Sequence, residues 1–374
     1  MPTPADKMQL LIGGKMHEDW ESYEVESDLL TPADAWQVSM GLRAGEIPPD
    51  VAAGAPVEVR VGGETVMTGR VDEISQRVDK HAHTLSMSGR DGAAVLVDCS
   101  APIFVIKQAT LDSIVAKVVR PLGINKIRIV ADKTLPREKI NVEPGDGAWD
   151  MLVNAAEANG LWPWFDPDGT LVIGGPDYSQ PEVATLILRR SGKGNNVLAL
   201  DLRKSIAERH SRLTVLGQTH GTATEQGKHN GGAKYEDPEM TAIAYRPKIV
   251  IDHESDNAAI AQARAEKLLS DARMHGTTLT ARVKGHRISE GGKLWQPGQR
   301  VRVVSEPHGI DAVWFLMARK FSGGRSEGAV TELTLKEDGV WVIKAHPHKR
   351  KHRRGKNATT GEIILIEPVS GVDQ

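Results

Sequence analysis

Paired carboxylates, clustered histidines and glycine-rich turns are the residues of this chain whose spacing could support chemistry. Glu18-Asp19 and the Asp166/Asp168 pair offer the two acids that glycoside hydrolysis uses. Turn formation accounts better for the second pair, because Asp166-Pro-Asp-Gly places each residue type where a tight turn needs it. It also lacks the further ligands and distal Glu of a calcium loop. Glu18-Asp19 lies in an acidic stretch that reads as solvated surface. Of 13 histidines, His81 and His83 share one face of a strand, and His346, His348 and His352 form a second group. Neither group brings a third ligand with an ordering carboxylate at a recognisable spacing, so strand-surface or solvated histidines are expected. Gly13-Gly14-Lys15 and Gly192-Lys-Gly-Asn-Asn lack the full phosphate-loop spacing and read as turns. No Gly-x-Ser-x-Gly elbow occurs, and Cys99 has no histidine close in sequence. No catalytic, cofactor-binding or metal-binding residue is assigned, and no cofactor is expected.

The densest charge is the run His346-Pro-His-Lys-Arg-Lys-His-Arg-Arg-Gly-Lys, with Lys349, Arg350, Lys351, Arg353 and Arg354 at its centre. Such a run can bind phosphates by counterion release. No aromatic residue interleaves it to stack bases, so a solvated linker, or contact with an acidic protein surface, fits it better than specific nucleic acid. Beyond it, Ile363, Ile364, Leu365 and Ile366 form an apolar segment with no obvious partner in its own domain. An apolar strand on a linker suggests strand addition onto another surface, although it would also serve to complete the second β-unit.

The elements that must carry these residues are mostly strands. At 374 residues the chain is long enough for two to four domains. Its net charge of −2 argues for neither nucleic acid nor membrane as a general partner. A single cysteine excludes an intrachain disulfide. The start of the chain lacks a signal-peptide pattern, and no apolar run approaches the ~20 residues that span a bilayer, so a soluble protein made in a reducing cytoplasm is expected.

Val57, Val59 and Val61 alternate with charged residues, Glu64 to Gln76 reads as a second strand, and Leu85 and Met87 alternate with serines. At Thr110 the period becomes helical, with Thr110 as N-cap and Pro121 and Gly123 as the stop. A second helix runs from about Asp146 to Asn159, and the Asp166 turn joins two short strands. Strands then return, interrupted by a helix from about Asp256 to His275 and by Gln218 to Lys234, which reads as a long loop.

The arrangement predicted is mostly β with an α/β insertion: two related small β-barrels plus a compact α/β domain. Residues 1–100 form the first barrel and 101–182 the α/β domain. Residues 183–220 and 277–342 form the second barrel, 221–276 a loop-and-helix insertion, and 343–374 a basic linker with a C-terminal strand. An internal repeat carries the two-barrel expectation. Gly54-Ala-Pro-Val-Glu-Val-Arg-Val is matched by Gln296-Pro-Gly-Gln-Arg-Val-Arg-Val, and Val66-Met-Thr-Gly-Arg-Val by Phe315-Leu-Met-Ala-Arg-Lys. His83-Thr-Leu-Ser-Met-Ser is matched in turn by Thr331-Glu-Leu-Thr-Leu-Lys. Three strands matched in order are harder to produce by chance than one.

Trp20-Glu-Ser-Tyr-Glu-Val, Gly89-Arg-Asp-Gly through Leu96-Val-Asp-Cys-Ser, and Gly147-Ala-Trp-Asp-Met-Leu through Gly160-Leu-Trp-Pro-Trp-Phe resemble the baseplate hub of Mu-like contractile-tail phages. Pro297-Gly-Gln-Arg-Val-Arg-Val and Gly328-Ala-Val-Thr-Glu-Leu-Thr-Leu fit the same pattern, so the resemblance runs from about Leu10 to Val342. That family is similar in fold to the T4-like tail hub and to the N-terminal part of type VI secretion spikes. The resemblance implies a non-enzymatic homotrimer in the virion baseplate, assembled in the host bacterial cytoplasm. It would adapt the sixfold tail tube to the threefold central spike and meet other baseplate proteins. Two alternatives stay open: a tail-associated cell-wall hydrolase, and a carbohydrate-binding receptor module using Trp162, Trp164, Trp295 and Trp314 as stacking platforms.

Overall fold

A computed structural model describes residues 6–41, 51–80, 83–130, 137–142, 144–157, 161–218, 229–252, 258–325, 328–341 and 363–365. The first unit contains β1 (Met8–Ile12), β2 (Lys15–His17), β3 (Ser22–Asp28), β4 (Ala35–Gly41), β5 (Pro56–Val61), β6 (Glu64–Val78) and β7 (His83–Asp91). In β5 the alternation of valine with Glu58 and Arg60 becomes an alternation of buried and half-buried positions, as period two requires.

The α/β part holds α1 (Ala94–Asp98), β8 (Val105–Ala109), α2 (Leu111–Ile114), β9 (Ile127–Val130), β10 (Arg137–Asn141), α3 (Ala148–Glu157), β11 (Trp162–Phe165) and β12 (Leu171–Gly174). Thr110 caps α2: its Oγ1 accepts the Ser113 N–H and the Ser113 Oγ accepts the Thr110 N–H. The helical path continues as a π-turn over Val115–Val119 and a 3-10 turn over Arg120–Leu122, then stops at Gly123 with φ 88°. Trp149 and Leu152 on α3 are buried in a core with Leu111, Ile114, Ile129 and Leu171.

The remainder consists of β13 (Glu182–Leu188), β14 (Ala199–Lys204), β15 (Arg212–Gln218), β16 (His229–Glu236), α4 (Pro238–Ile243), β17 (Pro247–Asp252), α5 (Ala258–Gly276), β18 (Thr277–Lys284), β19 (Arg300–Ser305), β20 (Ile310–Gly324), β21 (Val330–Glu337) and β22 (Ile363–Leu365). The protein is therefore mostly β with an α/β part.

The internal repeat is realised as a duplicated strand order. The first unit runs β3-β4-β7-β6-β5 across its sheet, and the second runs β14-β18-β21-β20-β19. The two orders correspond strand for strand along the chain. Each long middle strand, β6 and β20, carries a register shift where it meets the third strand. The outer neighbours differ: β1 joins β5 antiparallel, whereas β13 joins β19 parallel.

The units are not separate bodies. β3 pairs along its length with β20, from Ser22↔Gly324 to Asp28↔Ala318, so that both belong to one 13-stranded sheet. One apolar core, including Trp36, Val59, Met87, Val301, Phe321 and Leu333, runs through both.

Two expectations are corrected. Arg212–Gln218, placed by the sequence in the second barrel, pairs with β16 and β17 in a three-stranded sheet, with Leu213 and Val215 packed on Ala261, Ala265 and Leu269 of α5. The stretch read as a loop, Gln218 to Lys234, runs into β16 (His229–Glu236), which takes up its residues 229–234; residues 219–228 lie outside the described residues. Its glycines conceal the strand because its partner, rather than its own side-chain pattern, holds it.

This third module hangs from a hairpin. Lys204 at the end of β14 stands opposite Thr277 at the start of β18, and the Ser205 N–H donates to the Gly276 carbonyl at 2.7 Å. The two ends run so close that a Cβ on Gly276 would lie 2.9 Å from the Ser205 carbonyl oxygen. The module also leans on the α/β part, where buried Lys267 of α5 donates to Glu157 of α3 at 2.9 Å and to Asp271 at 2.7 Å.

Candidate functional site

The pairing of β3 with β20 places an unusual set of polar groups in the interior. Arg319 of β20 is fully buried; its Nη1 and Nη2 reach the Val25 and Val66 carbonyls at 3.4 Å, and its Nε has no partner. Burial lowers its pKa to about 10, so it remains a cation at neutral pH. His286, with no exposed surface, hydrogen-bonds Tyr23 Oη through Nε2 (2.8 Å) and Thr331 Oγ1 through Nδ1 (3.0 Å). The Thr331 hydroxyl donates to the Gly285 carbonyl at 2.6 Å. The imidazole therefore donates from Nδ1, and in its neutral form it accepts the Tyr23 proton at Nε2. Burial, which pushes its pKa down to about 4, agrees with that state.

Nearby, two carboxyls are held protonated more easily than usual. Burial raises Asp34 to about 6, and burial beside Asp34 raises Asp91 to about 8. They resemble a catalytic pair in pKa but not in setting. The crevice above them, walled by Trp149, Trp164 and Phe165, measures about 20 Å³. That holds about one water and no sugar ring. The wider groove of about 340 Å³ between β3, β4, β6 and β7 is serine-rich. Its Glu24 accepts from Lys320 Nζ (2.8 Å) and Gln37 Nε2 (2.7 Å), which hold it below the usual carboxylate range, the wrong direction for a proton donor.

The other groups singled out by sequence fall into structural roles. Glu18 and Asp19 both bind Lys7 Nζ, at 2.8 and 3.1 Å. Asp166 pairs with Arg128, and Asp168 accepts the Thr170 N–H inside the β11–β12 turn. Gly13-Gly14 turns β1 into β2, and Asn195 and Asn196 close the Gly192 turn onto Arg189 and Ile187. His83 hydrogen-bonds Gln76 at 2.5 Å; His81, His346, His348 and His352 lie outside the described residues. Trp295 and Trp314 are buried and offer no stacking face, whereas half-buried Trp162 donates its Nε1–H to the Leu29 carbonyl and packs edge-on against Trp341, and Trp164 donates to Asp166 at 3.2 Å.

Of the residues expected to meet a partner, Lys349, Arg350, Lys351, Arg353, Arg354 and Ile366 lie outside the described residues. Ile363, Ile364 and Leu365 form β22, antiparallel to β9 of the same chain, opposite Val130, Ile129 and Arg128. Sequence reasoning missed a further surface. On the three-stranded sheet, Leu216 stands beside Ile251 and Thr214 beside Ile249, and Leu216, Ile249 and Ile251 are exposed, with exposed Tyr245 just before β17. The alternation of Ile249, Val250 and Ile251 was visible, but which face α5 covers was not.

Residues 7–91 match the N-terminal domain of the Mu phage baseplate assembly protein GpP-like family, and residues 93–175 the second domain of gp44-like baseplate hub proteins. Residues 209–269 and 271–340 match the third and C-terminal domains of NMB1110-like tail proteins. The tail protein from Neisseria meningitidis MC58 is 42% identical with a TM-score of 0.80, over 91% of this chain and 99% of that one. The chain belongs to the Mu-like baseplate hub family. The prophage MuSo2 43 kDa tail protein from Shewanella oneidensis is 26% identical with a TM-score of 0.78, covering 90% of this chain and 100% of that one. The baseplate hub protein gp44 of Escherichia phage Mu is 23% identical over 97% of this chain and 96% of its own length. A structural role in the hub of a phage-tail baseplate follows for this hub protein.

Proposed function

We propose that three copies of this hub assemble into a ring that joins the sixfold tail tube to the threefold central spike. The observation that carries the reading is the duplicated strand order, β3-β4-β7-β6-β5 and β14-β18-β21-β20-β19, fused through β3 and β20. Three chains with two equivalent units each offer six similar β-surfaces in a threefold assembly, which is what a six-to-three adapter requires. On this reading the hub is not an enzyme, binds no specific nucleic acid and inserts in no membrane. It assembles in the host cytoplasm and ends in the virion baseplate with other baseplate proteins around it. The tail segment contributes a contact, with Ile363, Ile364, Leu365 and Ile366 holding the spike or a neighbouring subunit. Lys349, Arg350, Lys351, Arg353 and Arg354 steer that contact.

Light scattering coupled to gel filtration, followed by co-sedimentation with tail tube, tests the reading. A trimeric mass and capture by tube ends are expected. A monomer at tens of micromolar, with or without tube and spike, overturns it. A cell-wall zymogram that clears under the purified hub would favour the hydrolase instead.

A further inference from the structure

The α/β sheet runs β11-β12-β9-β22, so β9 would be its edge strand were β22 not there. An uncovered edge is a row of unpaired N–H and C=O groups, a template for any extended segment. Ile127 and Ile129 of β9 are buried while Val130 is 39% exposed, so the strand is anchored by one face and accessible at its end. β22 covers the edge in a defined register: Ile363 opposite Val130, Ile364 opposite Ile129, Leu365 opposite Arg128. The segment is therefore not a free end awaiting a partner. The backbone groups that it turns toward β9 are already paired.

We propose that the β9 edge is a strand-acceptor site whose occupant is the chain's own C-terminal segment, which is thereby latched until hub assembly releases it. Two features make the latch releasable. It spans only the three residues of β22, so few backbone bonds oppose the freedom gained on release. It is also attached through residues 342–362, whose contour of up to about 70 Å leaves the strand able to reach surfaces beyond its own sheet. At the near end of that stretch the chain is fixed. Trp341 is buried, its carbonyl accepts the Tyr178 hydroxyl at 3.0 Å, and its ring packs against Phe315 and Trp162. Tethering holds the strand near β9 at an effective concentration on the order of millimolar. Only a partner offering a longer edge or further contacts would draw it away.

The inference bears on the tail contact proposed above, but its test needs no partner, so the two fail separately. In the full chain with Cys99→Ser, Val130→Cys and Ile363→Cys place thiols at directly opposed positions, where a cross-strand disulfide can close. Val78→Cys with Ile363→Cys serves as the control, since Val78 lies at the exposed end of β6 in the other sheet. Mild oxidation should give an intrachain bond in the first pair only, seen by non-reducing electrophoresis and peptide mapping. Hydrogen exchange at Ile127–Val130 should be at least tenfold faster once residues 357–374 are deleted. Covalent dimers or trimers would assign the strand to a neighbouring copy and overturn the latch. Equal cross-linking of the control, or unchanged exchange after truncation, would overturn it too.

Discussion

The Arg319 guanidinium carbon lies 4.0 Å from the centre of the Phe321 ring, two residues along the same strand. The His286 ring packs on the same phenyl group with centroids 4.5 Å apart. Phe321 therefore holds one permanent cation and one neutral imidazole at the seam where β3 meets β20. A desolvated cation over an aromatic face contributes about 2 kcal/mol, which helps to offset the cost of burying a charge whose hydrogen bonds are long.

Truncating this cation should be costly. Arg319→Ala removes the ring contact and both carbonyl contacts and leaves a cavity in the shared core, an expected loss of about 3–5 kcal/mol. Arg319→Met keeps the volume and should cost less than half as much. Urea unfolding of the two variants checks this, and equal losses would mean that the cation and its contacts, lost in both variants, decide the site rather than the packed volume.

Asp34 and Asp91 predict a pH dependence with a definite sign. Their folded pKa values lie above the ordinary carboxylate value of 3.8. The folded state thus binds protons more tightly, and the stability gained is complete below about pH 4 and lost as pH rises through about 8. Asp91→Asn keeps an acceptor for the Ala93 N–H, which Asp91 Oδ1 now receives at 2.9 Å. It should be more stable than the parent by about 1 kcal/mol or more at pH 8 and near parity at pH 4. Thermal melts across that range would show the two curves converging; parallel curves would refute the assignment.

Trp149 is expected to anchor α3 from within the α/β core. It is 8% exposed, and Trp149→Ala should cost about 3–5 kcal/mol. An unchanged melting temperature would mean that this core unfolds apart from the main transition.

On the proposed trimeric reading, neutralising Lys349, Arg350, Lys351, Arg353 and Arg354 together should leave the oligomer intact and flatten the salt dependence of spike binding. Exposed charges contribute little singly and are screened beyond about 8 Å at physiological ionic strength. Deleting residues 357–374 should instead weaken the attachment at every salt concentration. Full affinity of the truncated hub for its spike would remove the apolar strand from the contact.

Local patterns made much of this fold legible. The meanders β5–β6–β7 and β19–β20–β21 were readable because each strand has one buried face, and period two reports that directly. The Thr110 cap and the Asp166 turn were readable because their chemistry lies within a few residues. Long-range pairing left no such trace. Nothing in Ser22–Asp28 announces that it joins the two units, and nothing in His229–Glu236 announces a strand. Arg319 stands between buried Met317 and Phe321 on the inward side of β20, where alternation calls for an apolar side chain, so its charge hides the position from a reading by period two. At the tail, the apolar strand was readable from Ile363 to Ile366, whereas its place on β9 depends on an edge formed far back in the sequence.

The paired ends of the third module have an evolutionary consequence. The corresponding connection in the first unit, between β3 and β4, is the short segment 29–34, whereas residues 205–276 fill that place between β14 and β18. Lys204 and Thr277 already stand face to face, so a two-residue turn such as Asn-Gly could bridge them with the host strands in register. Everything from 205 to 276 is in this sense a graft on a hairpin. A graft whose two chain connections meet at one place can enlarge or diverge away from its contact with α3 while the sheet beneath it keeps its geometry. The length and make-up of this insertion are thus free to change without disturbing the strand register of the duplicated framework that carries it.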